Sequence, residues 1–275
     1  MFDRVGGSVD PVCMSRRPFA VLTPVLAAAA LLLAACGPSA PLGPILTDPT
    51  AIITAAVTST EAATSVHIDV AVDGAVPVTL PGSSAATEVD LTGTTANADV
   101  DLEGAEMRAT FSVPAVLGLA GELIQADGTT YLKTTLTGSK FKVIDGLTTF
   151  AMDPTDVGGF VETLGDILQQ PGVDPVKGDD VACGGTQCYT VIVDLDAQEL
   201  AEILGDNAAA LPVDVQGASL QMTVRVEQTL PNHLAGVSIV LGLPSGDTLN
   251  VDLTFSKWDE GVTIEAPAPD EIDAS

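Results

Sequence analysis

Residues 66–73 read Val66-His67-Ile68-Asp69-Val70-Ala71-Val72-Asp73. Apolar side chains hold every even position, with polar or small ones between them. A period of two is that of a β-strand with one face in a core and the other in water. The same alternation returns at 89–91, 100–102, 107–113, 189–195, 220–226, 237–243, 249–255 and 262–264. Half-buried strands of this kind belong to antiparallel sheets. Asp127-Gly128, Pro231-Asn232 and Pro244-Ser245-Gly246-Asp247 supply turn signals between them. The expected body is a long meander whose acidic residues lie largely on its solvent face.

Three helical patterns interrupt the meander. Asp48-Pro49 sets an N-cap ahead of a proline at the first helical position, and Ile52, Ile53, Ala56 and Val57 follow as one stripe. Asp153-Pro154 repeats the signal ahead of Val157, Phe160, Val161, Leu164, Ile167 and Leu168, with Pro171 as the stop. Asp196 and Glu199 have capping-box spacing before Leu200, Ile203, Leu204 and Ala208. These stripes need an apolar partner, and the apolar face of the sheet is the one large partner available. The expected fold class is α+β, one antiparallel sheet covered on one side by helices. No composition break divides it, so residues 48–275 are expected to form a single domain.

The amino terminus reads as an address. Arg16 and Arg17 precede an apolar run over 19–35 that ends in Leu33-Ala34-Ala35-Cys36, the pattern of a secretory signal peptide over residues 1–35. Met14 offers a second start, which would leave 1–13 as an upstream extension. Leu-Ala-Ala-Cys resembles a bacterial lipobox, in which Cys36 is acylated and becomes the first residue of the mature chain. An uncleaved membrane anchor is the alternative reading of the same segment. Pro38, Pro41 and Pro44 make 36–47 a semi-extended tether. The expected location is the outer face of the cytoplasmic membrane, held by the acyl anchor.

Composition sharpens this. The 275 residues carry 37 acidic and 10 basic side chains, a net charge of -27, yet 46% are hydrophobic. An acidic disordered tail would lack that apolar content. Nucleic-acid binding is excluded by the want of any Lys/Arg cluster able to neutralise phosphates. Cleavage before Cys36 would remove Arg4, Arg16 and Arg17 with Asp3 and Asp10, leaving 7 basic and 35 acidic residues and a net charge of -28. Anionic membrane repels such a body, so the lipid has to hold it. The remaining cysteines, Cys183 and Cys188, flank Gly184-Gly185-Thr186-Gln187, and in an exported chain they read as a disulfide across a turn.

Catalytic motifs are missing: no Gly-x-Ser-x-Gly elbow, no His-Glu-x-x-His, no phosphate-cradling glycine loop and no EF-hand. His67 and His233 read as solvated surface histidines, and Trp258 as a core or interface anchor. The pairs Asp99/Asp101 and Asp194/Asp196 read as charge on solvent-facing strands rather than calcium ligands. No catalytic residue, metal or cofactor is expected. With only 4% aromatic residues, a core of Val, Leu, Ala and Gly leaves room for an apolar ligand between sheet and helices. The candidate lining is Phe111, Val113, Val116, Leu117, Leu119, Phe160, Leu164, Leu168, Leu200 and Leu204. Residues 113–121 are apolar without periodicity, and read either as a lid or rim of that cavity or as a tight buried bend.

Several stretches carry a family likeness. The lipobox and the Asp-Pro-capped helix are followed by Met107-Arg108-Ala109-Thr110-Phe111-Ser112 and Asp127-Gly128-Thr129-Thr130-Tyr131-Leu132-Lys133. Lys257-Trp258-Asp259-Glu260-Gly261-Val262-Thr263-Ile264-Glu265-Ala266-Pro267 reads as a closing Trp-containing strand. In this order they resemble the LppX/LprAFG lipoproteins of actinobacteria and, more distantly, the LolA/LolB carriers. The resemblance implies a strongly curved antiparallel half-barrel with helices on its concave face, and a cavity for lipid or acylated glycolipid carried across the envelope. The expected partners are therefore such a lipid, the membrane and a lipid exporter, and the expected function is carriage rather than catalysis. The alternative is a non-catalytic envelope module with a filled core that docks a partner protein.

Overall fold

The alternating segment around Val70 lies in β1 (Ser65–Thr79), the strand at the centre of one sheet of 13 strands. The computed structural model describes residues 43–79, 86–144, 157–170, 172–204 and 217–273. These fall in the compact unit Pro41–Ser275, and every contact given below lies within it. One half of the sheet is a meander of β3 (Thr94–Asp101), β4 (Glu106–Val113), β5 (Leu119–Ala126), β6 (Thr129–Thr134) and β7 (Lys142–Ile144). The other runs through β10 (Thr186–Leu195), β11 (Ser219–Glu227), β12 (Leu234–Gly242) and β13 (Thr248–Ser256), with the short β8 (Val176–Lys177) and β9 (Val181–Cys183) paired to β10. β1 joins the halves, pairing antiparallel with β3 and with β13, while β2 (Ala86–Asp90) pairs its far end. The end strands β7 and β8 do not meet, so the sheet is open, as a half-barrel requires.

Helices α1 (Pro49–Glu61) and α2 (Val157–Leu168) pack on each other, and both bury residues in the sheet's main apolar cluster. Asp48 caps α1 through Thr50 N–H at 2.9 Å. Ile52, Ile53 and Ala56 are buried beside Val161, Leu164 and Leu168, and against Val191, Val224 and Leu234 of the sheet. The α1–α2 approach is close because a Cβ at Gly165 would stand 3.3 Å from Val57 Cγ2. Helix α3 (Ala197–Leu204) starts on the expected capping box: Asp196 N–H donates to Glu199, and Glu199 N–H to Asp196. No helix among the described residues is long and apolar enough to cross a membrane.

Four expectations change. Residues 262–264 form no strand; they belong to a tail that lies over β5–β7, where Ile264 is buried with Ile124 and Phe141. Trp258 stands just beyond the end of β13 rather than within a strand. The end of the proline-rich tether is fastened: Gly43 N–H donates to Gln228 O, Leu46 N–H to the Tyr189 hydroxyl, and that hydroxyl to Pro44 O. The aperiodic segment resolves into a hairpin turn at 114–118 followed by β5. Alternation fails in β5 because both of its faces are covered, Leu123 by the main core and Ile124 by the tail. The leader, Cys36, Asp153-Pro154, Pro171 and Ala208 lie outside the described residues.

Candidate functional site

The helix-bearing face of the sheet has two zones, set by strand register. At the end where β1 begins, Val66, Val100, Met107, Val226, Leu234 and Phe255 are buried beneath α1 and α2. Packing there is tight: between α1 and α2 only about 10 Å³ is left, beside Ile53, Gly165 and Leu168. That is no more than a single water could fill.

Further along the same strands burial becomes partial while the apolar alternation continues. Val70 stands between Leu253 on β13 and Ala96 on β3, and Ala96 is opposite Phe111 on β4. Val72 is opposite Val251, and Val113 opposite Leu119. Val70, Val72, Ala96, Phe111, Val113, Leu119, Leu249 and Val251 are all half-buried, and none belongs to the core cluster or packs against it. Spread over β13, β1, β3, β4 and β5, they form an apolar band roughly 19 Å across at the usual strand spacing. No charged side chain points from these positions. The Phe111 ring lies over Gly121, where a Cβ would come within 2.6 Å of it.

The opposite face is polar. His67 Nδ1 is 2.6 Å from Asp99 Oδ1, and Ser238 bonds Asp252. Glu122 accepts from Arg108 Nε at 2.9 Å and pairs with Lys133 at 2.8 Å. Burial raises the Glu122 carboxyl, but Lys133 and Arg108 outweigh it and hold the group below the usual carboxylate range. The Lys133 ammonium also sits 4.1 Å from the centre of the Phe141 ring. Hollows of about 500 and 440 Å³ flank this cluster, and one of about 670 Å³ runs along the Thr50–Thr54–Thr58 side of α1. Among the described residues no group of three or more His, Cys, Asp or Glu is placed to hold a metal.

The expected lining residues separate. Phe111, Val113 and Leu119 lie in the half-buried band. Val116 and Leu117 are exposed in the turn beyond it. Leu164 and Leu168 are spent in the packed core, and Phe160 stacks on Phe255 at 6.5 Å. Leu200 is buried apart, with Ala218, and of Leu204 only the backbone is described. Sequence reasoning left out Val70, Val72, Leu249 and Val251, although their alternation was visible. Cys183 and Cys188 are joined as a disulfide across the β9–β10 turn. His233 is a correction: it is buried, stacked on Trp258 with ring centres 4.9 Å apart.

Residues 48–264 match the family model of the LppX_LprAFG lipoproteins. Among solved structures, LprF from Mycobacterium bovis is 19% identical, with 80% of this chain and 97% of LprF covered, at a TM-score of 0.52. LppX from Mycobacterium tuberculosis is 19% identical over 79% of this chain and 98% of its own, with a TM-score of 0.40. A LolA superfamily protein from Nitrosomonas europaea is 11% identical over 82% and 96%, with a TM-score of 0.26. The first supports the fold; the other two score too low to add to it. No curated protein matches the sequence.

Proposed function

Since the chain belongs to the LppX_LprAFG lipoprotein family, we propose that it is a lipid-binding lipoprotein, anchored through Cys36 and carrying lipid or acylated glycolipid across the cell envelope without catalysing a reaction on it. The observation that carries this reading is the band around Val70 and Phe111, apolar and half-buried where the rest of that face is packed. An acyl chain laid along it leaves water at roughly 0.8 kcal/mol per methylene. A ligand held this way is recognised by length and apolarity, which suits a carrier that must also release it. The reading also accounts for the acidic outer face, which keeps a loaded protein soluble.

Native mass spectrometry of the protein purified from its host tests the proposal. A bound lipid is expected, along with uptake of offered phospholipid, and Val70→Asp is expected to abolish both while the fold persists. A ligand-free spectrum with no uptake overturns it. The tightly filled α1–α2 seam favours a second reading, a filled module that docks a protein, and that same ligand-free result would support it.

A further inference from the structure

Beyond the band, two neighbouring turns project from the sheet, at 114–118 and 135–140. They are tied together: Thr135 N–H donates to Ala120 O, Ala120 N–H to the Thr135 hydroxyl, and that hydroxyl to Gly118 O. Their apolar side chains stand in solvent, Leu117 at 90% exposure, Leu136 at 61% and Val116 at 43%. Leu117 has φ 52°, a left-handed conformation that a leucine adopts only with strain. A residue ill-suited to its backbone and to water marks a position chosen for something else.

The charge around these turns is also unlike the rest of the chain. No Asp or Glu occurs in 107–121 or in 128–144, in a protein with 37 of them. Arg108, Lys133, Lys140 and Lys142, four of the chain's 10 basic residues, fall within those two stretches. Arg108 and Lys133 are taken up by Glu122. Lys140 and Lys142 are exposed and make no ion pair among the described residues. Acidic neighbours come from other segments: Glu122 shares a hollow with Thr135 and Gly138, and Glu271 and Asp273 of the tail are joined to Phe141 through backbone bonds.

We propose that this tip, Val116, Leu117 and Leu136 with Lys140 and Lys142, is the surface by which the protein docks on an anionic lipid bilayer. The leucines and valine enter the headgroup boundary while the two ammonium groups meet lipid phosphates. The two stretches that form the tip, 107–121 and 128–144, carry no acidic side chain of their own to oppose such a surface. Docking here extends the lipid-binding reading, because Phe111, Val113 and Leu119 run directly into the tip and give an acyl chain an apolar path out. The tip also lies at the opposite end of the strands from Gly43, where the described chain is fastened to Gln228.

Flotation of the chain from Pro41 onward with vesicles tests this. Binding is expected to vesicles of phosphatidylglycerol and phosphatidylcholine in equal parts, and to weaken at high salt. Leu117→Asn with Leu136→Ser is expected to weaken it about tenfold or more, as the loss of two inserting side chains requires. Asparagine tolerates the left-handed backbone, so thermal melting should hold or rise. Lys140→Glu with Lys142→Glu should remove the preference over pure phosphatidylcholine, and Val176→Ser, equally exposed elsewhere, should change nothing. The proposal falls if the unchanged chain ignores both vesicles or if Val176→Ser weakens binding as much as the tip variants. It falls equally if the tip variants alter only self-association. Uptake of a fluorescent fatty acid without vesicles reads the band separately: lost uptake with retained flotation defeats the carrier reading and leaves the tip standing.

Discussion

His233 holds its imidazole flat against the Trp258 indole, and the indole N–H donates to Leu234 O at 3.0 Å. Burial pushes the imidazole below its ordinary value of 6.5, and Asp259, 3.6 Å away, only partly offsets this. Nδ1 has no partner among the described residues. The folded chain therefore resists a proton that the unfolded chain accepts, so stability falls as pH drops through the ordinary histidine range. Urea midpoints should be lower at about pH 6 than at about pH 7.5, and His233→Gln should narrow the gap. Trp258, the single tryptophan, reports the transition directly. Equal midpoints in the unchanged chain would count against a neutral buried imidazole. Nearby, burial raises the Glu227 carboxyl and the Thr229 hydroxyl bond lowers it only in part, so this group works in the opposite sense, adding stability as pH falls through its raised range.

Strands and helices here owe their places to different forces. β10 is buried along most of its length, whereas its neighbour β9 is three residues of largely exposed edge. Two glycines with positive φ, Gly184 and Gly185, turn the chain between them, and the disulfide closes a loop of six residues around that turn. Chain entropy assigns such a loop about 2 kcal/mol. Cys183→Ser with Cys188→Ser should lower the unfolding free energy by about that amount, measured in urea. Cys188 is wholly buried, so a far larger loss would mean that its packing outweighs the cross-link. Helix caps were readable residue by residue, since Asp48-Pro49 and Asp196-x-x-Glu199 act within one turn. β5 was not, because the tail that covers its second face lies some 140 residues further along the chain, as Ile124 against Ile264 shows.

Over the whole molecule, the acid is segregated rather than neutralised. With -27 formal charges and only a few ion pairs among the described residues, the folded body repels itself. Salt should screen that repulsion, so the melting temperature is expected to rise by a few degrees between about 0.02 and 0.3 M sodium chloride. An unchanged or lower value would mean that the Arg108–Glu122–Lys133 cluster, which salt weakens, contributes more than the repulsion costs.

The alternation at Val70 and the stripe at Ile52 belong to the sequence alone, since a period of two or of 3.6 is a local property of the backbone. So do the Leu33-Ala34-Ala35-Cys36 pattern and the cysteine pair across its turn. Which apolar residues would be used up in packing was not local. Leu164 and Leu168 carried the same apolar signal as Phe111 and Val113, yet the first pair is buried in the core cluster and the second is only half-buried. Burial depends on what arrives from elsewhere in the chain, and a side chain's own chemistry says only that it seeks an apolar neighbour.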